Sequence, residues 1–216
     1  LSPKILYTGS SECYAYGVQK KFNNVPTTED TVLALGPMEN PRWSYACGKL
    51  NGEYALFNAY SEYKIPFVIA RVHNIYGPRM GRNHFFSDFI NRCLNNEFFL
   101  YAPYQTRSYH FIDDCVNTLI LLMNSASANL NVFNVGSSKE TMNLDCANLI
   151  LDELNINQKL SFRNAPEGSI NRRKPDLTKL FRMFPSLKEQ TSLEDGIKAT
   201  VAWYSKRNID FDDNEN

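Results

Sequence analysis

The chain has 216 residues, and its 23 basic and 23 acidic side chains give a formal net charge of zero. Hydrophobic residues make up 43% and charged residues 21%, which is typical of a globular protein and excludes an intrinsically disordered chain. No basic excess is available to bind a nucleic acid backbone. The longest purely aliphatic run, Leu119–Met123, is far shorter than the ~20 residues of a membrane span. We therefore expect neither a nucleic acid partner nor a membrane partner.

The cysteines and histidines indicate the compartment and exclude one kind of site. Five cysteines, at 13, 47, 93, 115 and 146, form no CxxC pair, so we expect reduced thiols in a cytoplasmic protein. The three histidines, His73, His84 and His110, do not have the spacing of metal ligands. The sequence therefore predicts no metal site.

Apolar runs alternate with helical periodicity along the first third of the chain, as in α/β proteins. The first strand is predicted at Ile5–Tyr7 and ends in the small polar run 8–11. Residues 18–42 contain three prolines and one glycine, and they predict a long irregular connection. A helix follows, with its apolar face predicted at Ala46, Leu50, Tyr54 and Phe57.

The same alternation continues to the end of the chain. Strands are predicted at residues 67–70, 98–101, 132–135 and 160–162. Helices are predicted at 85–94, 147–154, 176–184 and 193–204. One more helix is expected to begin with Asp113 or Asp114 as its N-cap, and its buried face is predicted to contain Val116, Leu119, Ile120 and Met123.

Tyr45 and Lys49 are four residues apart and therefore lie on the same face of the predicted helix. A free tyrosine has a pKa of about 10, and a neighbouring ammonium lowers such a pKa toward the neutral range. Such a pair can take the proton from an alcohol whose carbon gives up a hydride to a nicotinamide. Because the same spacing also occurs in surface contacts, the pair alone leaves both interpretations open.

Ser10, Ser11 and Glu12 follow the first predicted strand. In open α/β sheets, ligands bind at the carboxyl ends of the strands. A hydroxyl there can hydrogen-bond a reacting alcohol, and a carboxylate can act as an acid or a base. A loop of turn-forming serines with an exposed glutamate is the alternative interpretation.

Five segments in order resemble the short-chain dehydrogenase/reductase superfamily, in its extended branch that acts on sugar nucleotides. The first is Tyr45-x-x-x-Lys49 after a strand-end serine. Residues 71–79 (RVHNIYGPR) are similar to the R-x-x-N-x-Y-G-P-R segment, and residues 105–114 (QTRSYHFIDD) to the R-x-F-x-[YF]-V-x-D element. Residues 134–136 (NVG) and 172–176 (RRKPD) resemble the N-x-G strand end and the R-x-P-D segment. The resemblance covers most of the chain.

The resemblance implies NAD as cofactor and a nucleotide-diphosphate sugar as substrate. Tyr45 is then the general base and Lys49 holds the nicotinamide ribose, within the implied catalytic set Ser10, Ser11, Glu12, Tyr45 and Lys49. The cofactor-binding residues that it implies are Thr8, Tyr45, Lys49, Arg71 and His73. The substrate-binding residues that it implies are Asn74, Arg79, Phe85, Tyr101, Arg107 and Arg173.

One element of the family pattern is not in this sequence. Members of the family begin with a strand, a glycine-rich turn and a helix that hold the cofactor pyrophosphate. The ten glycines here form neither GxG nor GxxG. We therefore expect a fragment of an active enzyme, with the glycine-rich segment encoded before Leu1. A truncated, non-catalytic sugar-nucleotide-binding protein is the alternative from another functional class.

The resemblance implies an α/β fold, a Rossmann-like parallel sheet with helices on both faces that lacks its N-terminal part, and a smaller C-terminal substrate-binding lobe. We assign residues 1–80 and 107–137 to the NAD-binding domain, and residues 81–106 and 138–216 to the substrate lobe. It also implies a homodimer through the helix that carries Tyr45, with Phe57 and Tyr60 at the contact.

The reaction is open among three that begin by oxidising the sugar, usually at C4. Ser11-Glu12 stands where the 4,6-dehydratases carry Asp-Glu, which counts against dehydration because that reaction needs an acid to expel the C6 hydroxyl. The expected function is epimerisation, in which the keto sugar rotates and is reduced again. The alternative is a UDP-glucuronate decarboxylase reaction that uses Glu12 and Arg173.

Overall fold

The structure, a computed structural model, describes residues 3–165, 169–188 and 190–206. Its strands are β1 (Ile5–Ser10), β2 (Phe67–Val72), β3 (Ile75–Tyr76), β4 (Phe99–Tyr101), β5 (Thr106–Arg107), β6 (His110–Phe111), β7 (Asn131–Val135), β8 (Thr141–Met142), β9 (Ser161–Arg163) and β10 (Arg172–Arg173). Its α-helices are α1 (Ala15–Gln19), α2 (Arg42–Tyr63), α3 (Phe85–Leu94), α4 (Ile112–Asn124), α5 (Asn143–Glu153), α6 (Thr178–Met183) and α7 (Leu193–Lys206).

A parallel sheet in the order β1-β2-β7 positions the candidate site. Its central strand is fully buried from Phe67 to Ala70, as expected for a strand covered on both faces. Ser10 pairs with Val72, which pairs with Val135, so all three strands end at one edge. The α/β prediction is confirmed, and the strand ends bring their following loops together.

Helices cover both faces of this sheet. On one face, α2 places Phe57 against the ring of Phe67, with ring centroids 4.8 Å apart. On the other face, Leu122 of α4 packs in one cluster with Val68 and Ala70. Leu180 of α6 belongs to the same cluster, although the predicted boundary assigned it to the substrate lobe. The domain boundaries stay a prediction. Residues 207–216, the end of the predicted substrate lobe, lie outside the residues that the structure describes.

A second hydrophobic core lies between α3, α5 and α7, beside the short strands β3, β4 and β6. Tyr76 stacks on Phe86 there, with ring centroids 4.3 Å apart. A Cβ on Gly196 would clash with the Tyr76 hydroxyl, so only glycine lets α7 approach this ring. Among the described residues, we find no helix with the length and apolarity that a membrane span requires.

Two features of α4 differ from the prediction. Its N-cap is Phe111 in extended conformation, so the N-cap prediction at Asp113 or Asp114 is wrong. Both aspartates lie in the first turn instead, where they favourably face the helix dipole. The buried side of α4 consists of Cys115, Thr118 and Leu122, whereas three residues of the predicted face are exposed: Val116, Ile120 and Met123. The apolar residues of α4 cover more of the helix surface than the side that packs on the sheet. The periodicity of the sequence therefore predicted the wrong part of this apolar surface as buried.

The buried face of α2 is also only partly the predicted one. Ala46 and Leu50 are buried as expected, but Tyr54 and Phe57 are exposed. Trp43 and Glu53 complete the inner face in their place. A buried carboxylate on an inner face is invisible to hydrophobic periodicity, because the pattern counts it as a solvent-facing position.

Candidate functional site

The carboxyl end of β1 turns directly into a short 3₁₀ helix, Ser11–Tyr14. The Ser10 hydroxyl accepts a hydrogen bond from the backbone N–H of Glu12 at 3.2 Å and so caps this turn. The turn buries Ser11 and directs Glu12 toward α2 and β10. Local capping therefore positions the three predicted strand-end residues.

Glu12 lies between two arginines that are far apart in the sequence. Arg173 of β10 contacts its Oε1 at 2.7 Å, and Arg42 at the start of α2 donates to its Oε2 at 2.9 Å. Burial alone would raise the pKa of Glu12, but the two guanidinium groups outweigh burial and hold the pKa below its usual 4.5. Glu12 is therefore an ionised carboxylate at neutral pH.

Tyr45 and Lys49 project from α2 next to this cluster. The Lys49 Nζ lies 5.8 Å from the centroid of the Tyr45 ring and donates to the backbone carbonyl of Thr8 at 2.9 Å. The Tyr45 side chain is 54% exposed and lines a cavity together with Ser10. The structure thus places a phenol, an ammonium and a strand-end hydroxyl at one sheet edge.

A cavity of about 700 Å³ brings together seven of the fourteen predicted site residues. This volume lies within the usual range of small-molecule sites. Three guanidinium groups and one carboxylate face it among the residues that the structure describes, so it favours an anionic ligand. The predicted site residues that line it are Ser10, Ser11, Glu12, Tyr45, Asn74, Arg79 and Arg173.

A smaller cavity of about 260 Å³ shares Asn74 with the first. Phe85, Tyr101 and Arg107, all predicted substrate residues, line it. Arg107 donates to the Gln105 side chain at 3.0 Å, and burial, with the charge of Arg173, lowers its pKa to about 10. A guanidinium beside two aromatic rings suits a ligand with both a phosphate and a flat ring.

Of the five predicted cofactor residues, four line neither of these two cavities: Thr8, Lys49, Arg71 and His73. Arg71 is buried, and its guanidinium donates to Glu53, to the Tyr14 hydroxyl and to the Glu29 carbonyl. His73 is buried against Asn134, and burial lowers its pKa to about 3. The contacts of both residues are structural, and their cofactor role stays a prediction.

Comparison with known proteins identifies the family. The sequence profile of the NAD dependent epimerase/dehydratase family matches residues 2–136. The chain belongs to this family. The family assignment agrees with the predicted superfamily resemblance.

Relatives with curated functions include two uronate decarboxylases. A UDP-N-acetyl-alpha-D-glucosaminuronate decarboxylase from Bacillus cytotoxicus is 30% identical over 212 residues, covering 93% of this chain and 63% of that protein. UDP-glucuronic acid decarboxylase 4 from Arabidopsis thaliana is 29% identical over 208 residues, covering 94% of this chain and 45% of that protein. This chain of the epimerase/dehydratase family therefore spans about half the length of these relatives.

The fold is that of solved sugar-nucleotide enzymes. A UDP-glucuronic acid 4-epimerase from Bacillus cereus, solved with UDP-glucuronic acid and NAD, superposes with a TM-score of 0.81 at 21% identity. The match covers 94% of this chain and 62% of that one. The Rossmann-like fold class is thereby confirmed.

The family is NAD-dependent, and the described residues fit one half of that cofactor. The Tyr45 phenol is exposed and Lys49 is half-buried at the strand ends, where both can hydrogen-bond ribose hydroxyls. The sequence contains no GxG or GxxG turn that would cradle the pyrophosphate. The residues present therefore fit the nicotinamide riboside part of NAD.

Sequence reasoning missed Arg42 and Glu53. Arg42 precedes Tyr45 by three residues, so helical spacing places it on the Tyr45 side of α2. Glu53 follows Lys49 by four residues and continues the same row. Extending the Tyr45–Lys49 row by one turn in each direction finds both.

Proposed function

We propose that this chain contributes the catalytic and substrate-binding residues of an NAD-dependent enzyme that decarboxylates a UDP-uronate. The observation that carries the proposal is the cluster of Arg42, Glu12 and Arg173 on the cavity wall beside Tyr45. Its guanidinium groups exceed its carboxylate in number, so an anionic sugar is favoured over a neutral one. The two uronate decarboxylases among the relatives support this substrate class.

The chain's own residues supply acid–base chemistry and electrostatics. Tyr45 takes the proton of the C4 hydroxyl, Lys49 stabilises the phenolate, and Ser10 hydrogen-bonds the same oxygen. Tyr45 and Lys49 would hold the ribose of a bound NAD, which would supply the reversible hydride acceptor for C4. Arg173 and Arg42 orient the sugar carboxylate, while the ionised Glu12 repels it. Repulsion between Glu12 and the sugar carboxylate favours cleavage of the C5–C6 bond: C6 leaves as CO₂, the electron pair of the bond moves into the C4 ketone as an enolate, and C5 then takes a proton from solvent.

Epimerisation at C4 is the second candidate. It requires the keto sugar to rotate within the site, and the 700 Å³ cavity leaves room for that rotation. The same residues, Tyr45 and Ser10, would serve both reactions. The two candidates therefore differ in the fate of the carboxylate.

One experiment separates the two candidates. The protein as its gene encodes it is incubated with NAD and UDP-glucuronate carrying ¹⁴C at C6, and released CO₂ and the sugar products are measured. We expect ¹⁴CO₂ and a UDP-pentose. Formation of UDP-galacturonate without CO₂ would support epimerisation, and absence of any product would contradict both candidates. Arg173→Gln should weaken binding of UDP-glucuronate more than that of UDP-glucose, which lacks the carboxylate.

A homodimer and a cytoplasmic location complete the proposal. Of the predicted contact residues on α2, Phe57 is exposed and Tyr60 is half-buried; together with the exposed Tyr54 they suit a contact with a second copy. All five cysteines are free, which fits a reducing compartment. Light scattering of the protein and of its Tyr54→Glu variant tests the dimer, which the new charge should dissociate.

A further inference from the structure

A buried ion pair lies one turn below the candidate catalytic pair on α2. Glu53 follows Lys49 by four residues, and both Glu53 and its partner Arg71 of β2 have side chains only 5% exposed. Arg71 donates from Nε to both carboxylate oxygens, at 3.0 and 3.2 Å, and from Nη2 to Oε2 at 2.7 Å. The geometry is a side-on fork, which fixes both the distance and the orientation of the two groups.

The same guanidinium also holds the turn that carries the strand-end residues. Its Nη1 donates to the Tyr14 hydroxyl at 2.8 Å, and Tyr14 lies two residues after Glu12 in the 3₁₀ turn. The Tyr14 hydroxyl in turn donates to the Asn134 side chain at the end of β7 at 2.9 Å. Arg71 therefore links α2, the 3₁₀ turn and the ends of two sheet strands through one planar group.

Strand β1 has a glycine at the point where the Arg71–Glu53 pair approaches it. A Cβ on Gly9 would lie 2.7 Å from the Glu53 Oε1 and 3.3 Å from the Arg71 side chain. Gly9 immediately precedes Ser10, so the carboxylate of Glu53 lies against β1 one residue before the strand-end serine. A larger residue would push α2 away from β1 and with it the Tyr45–Lys49 row.

Energetics indicate that this pair contributes orientation more than stability. Removing two charges from water costs several kcal/mol per ion, so a buried pair is commonly no more stable than apolar residues of similar volume. Trp43, Ala46 and Leu50 already supply apolar burial for α2. Apolar packing alone does not fix the rotation and axial position of α2. An ion pair with forked hydrogen bonds does fix them.

We propose that Arg71 and Glu53 are positioning residues that set Tyr45 and Lys49 on α2 against Ser10 at the end of β1. The proposal rests on the proposed function for the identity of the reacting groups. It assigns Arg71 a role in the site without contact to cofactor or substrate. It also explains why glycine precedes the catalytic serine.

The decisive variant replaces both charges by apolar side chains of similar length, Glu53→Met with Arg71→Met. The apolar pair leaves no unpaired buried charge, but it removes the Arg71 donors to the Tyr14 hydroxyl and the Glu29 carbonyl, so we expect the melting temperature to fall by a few degrees. The ¹³Cζ resonance of Tyr45, assigned with Tyr45→Phe, should shift or split, since the ring loses its fixed place. In turnover assays kcat should fall about a hundredfold while KM changes little. Glu140→Gln, which breaks the Arg172–Glu140 pair, is the matched control and should leave the Tyr45 resonance unchanged.

The outcomes separate this inference from the proposed function. An unchanged Tyr45 resonance in the double-methionine variant overturns the positioning role, whether or not the melting temperature falls. A shifted resonance with wild-type kcat overturns it as well. If the wild-type protein turns over no UDP-uronate, the proposed function fails, and the resonance comparison still decides whether the pair positions Tyr45.

Discussion

Loss of the Glu12 charge should destabilise the protein by an amount that the geometry defines. Glu12→Gln keeps the shape of the side chain but leaves Arg173, whose side chain is only 13% exposed, without its counterion. Breaking a fully buried pair costs about 3–5 kcal/mol, whereas an exposed pair contributes about 0–1 kcal/mol. Because Glu12 is 20% exposed, we expect a loss of about 2 kcal/mol between these limits. For a chain of this size that corresponds to a fall of about 4–8 °C in melting temperature.

The loss should depend on pH with a definite sign. The pKa of Glu12 in the folded protein lies below its usual 4.5, so its contribution to stability is fully present above that value. The contribution is lost as the pH falls through the lowered pKa, because the wild-type carboxylate then becomes protonated. The difference between wild type and Glu12→Gln should therefore be largest at pH 7 and shrink in acid.

Thermal melts of both proteins between pH 7 and pH 3 test this expectation. Glu97→Gln, at an exposed position of the surface, is the control and should melt like the wild type at every pH. The reasoning is refuted if Glu12→Gln melts like the wild type at pH 7. It is also refuted if the difference between the two proteins grows in acid.

Two further predictions concern single side chains. Tyr45→Phe should lower kcat at least about a hundredfold without changing the melting temperature. Tyr54→Phe on the same helix is the control and should keep full activity. Equal kinetics for both variants would contradict the role of Tyr45. Gly196→Ala should destabilise the protein by about 1–3 kcal/mol in urea titrations, because the added methyl group meets the Tyr76 hydroxyl. Gly48→Ala, where no atom lies within 4 Å of the new methyl group, should instead stabilise α2 by up to about 1 kcal/mol; the same sign for both glycines would contradict the packing argument.

The regular elements could be predicted from the sequence because burial leaves a pattern in it. The apolar run at Phe67–Ala70 is the buried centre of β2, and the helix predicted at residues 85–94 is α3 with the same bounds. The two-residue strands could not be predicted in this way. β5 exists only because Thr106 pairs with Met142 on one side and with Arg172 on the other, and both partners are distant in sequence.

The sequence predicted several residues of the site, but it did not predict which of their side chains form ion pairs. Motif resemblance pointed to Glu12 and to Arg173, and the structure adds that their side chains form an ion pair. Arg42 and Glu53 were missed, because a charged residue on a helix is normally solvated and carries no signal of burial. Arg71 was assigned to the cofactor from its motif, whereas its donors are directed at Glu53 and Tyr14. Sequence motifs therefore indicate where a site lies, and only the contacts show which charges neutralise each other.

The state of Glu12 bears directly on which chemistry the site can perform. Dehydration of a sugar needs a proton donor for the departing hydroxyl, and a carboxylate that two guanidinium groups keep ionised cannot donate one at neutral pH. Burial opposes ionisation of Glu12, and Arg173 is the largest influence that favours it. Arg173→Leu should therefore raise the pKa of Glu12, measured by ¹³C NMR of the carboxyl carbon, while Arg172→Leu, which releases Glu140 instead, should leave Glu12 unchanged. If Glu12 titrates alike in all three proteins, Arg173 does not control its charge, and the electrostatic argument against dehydration fails.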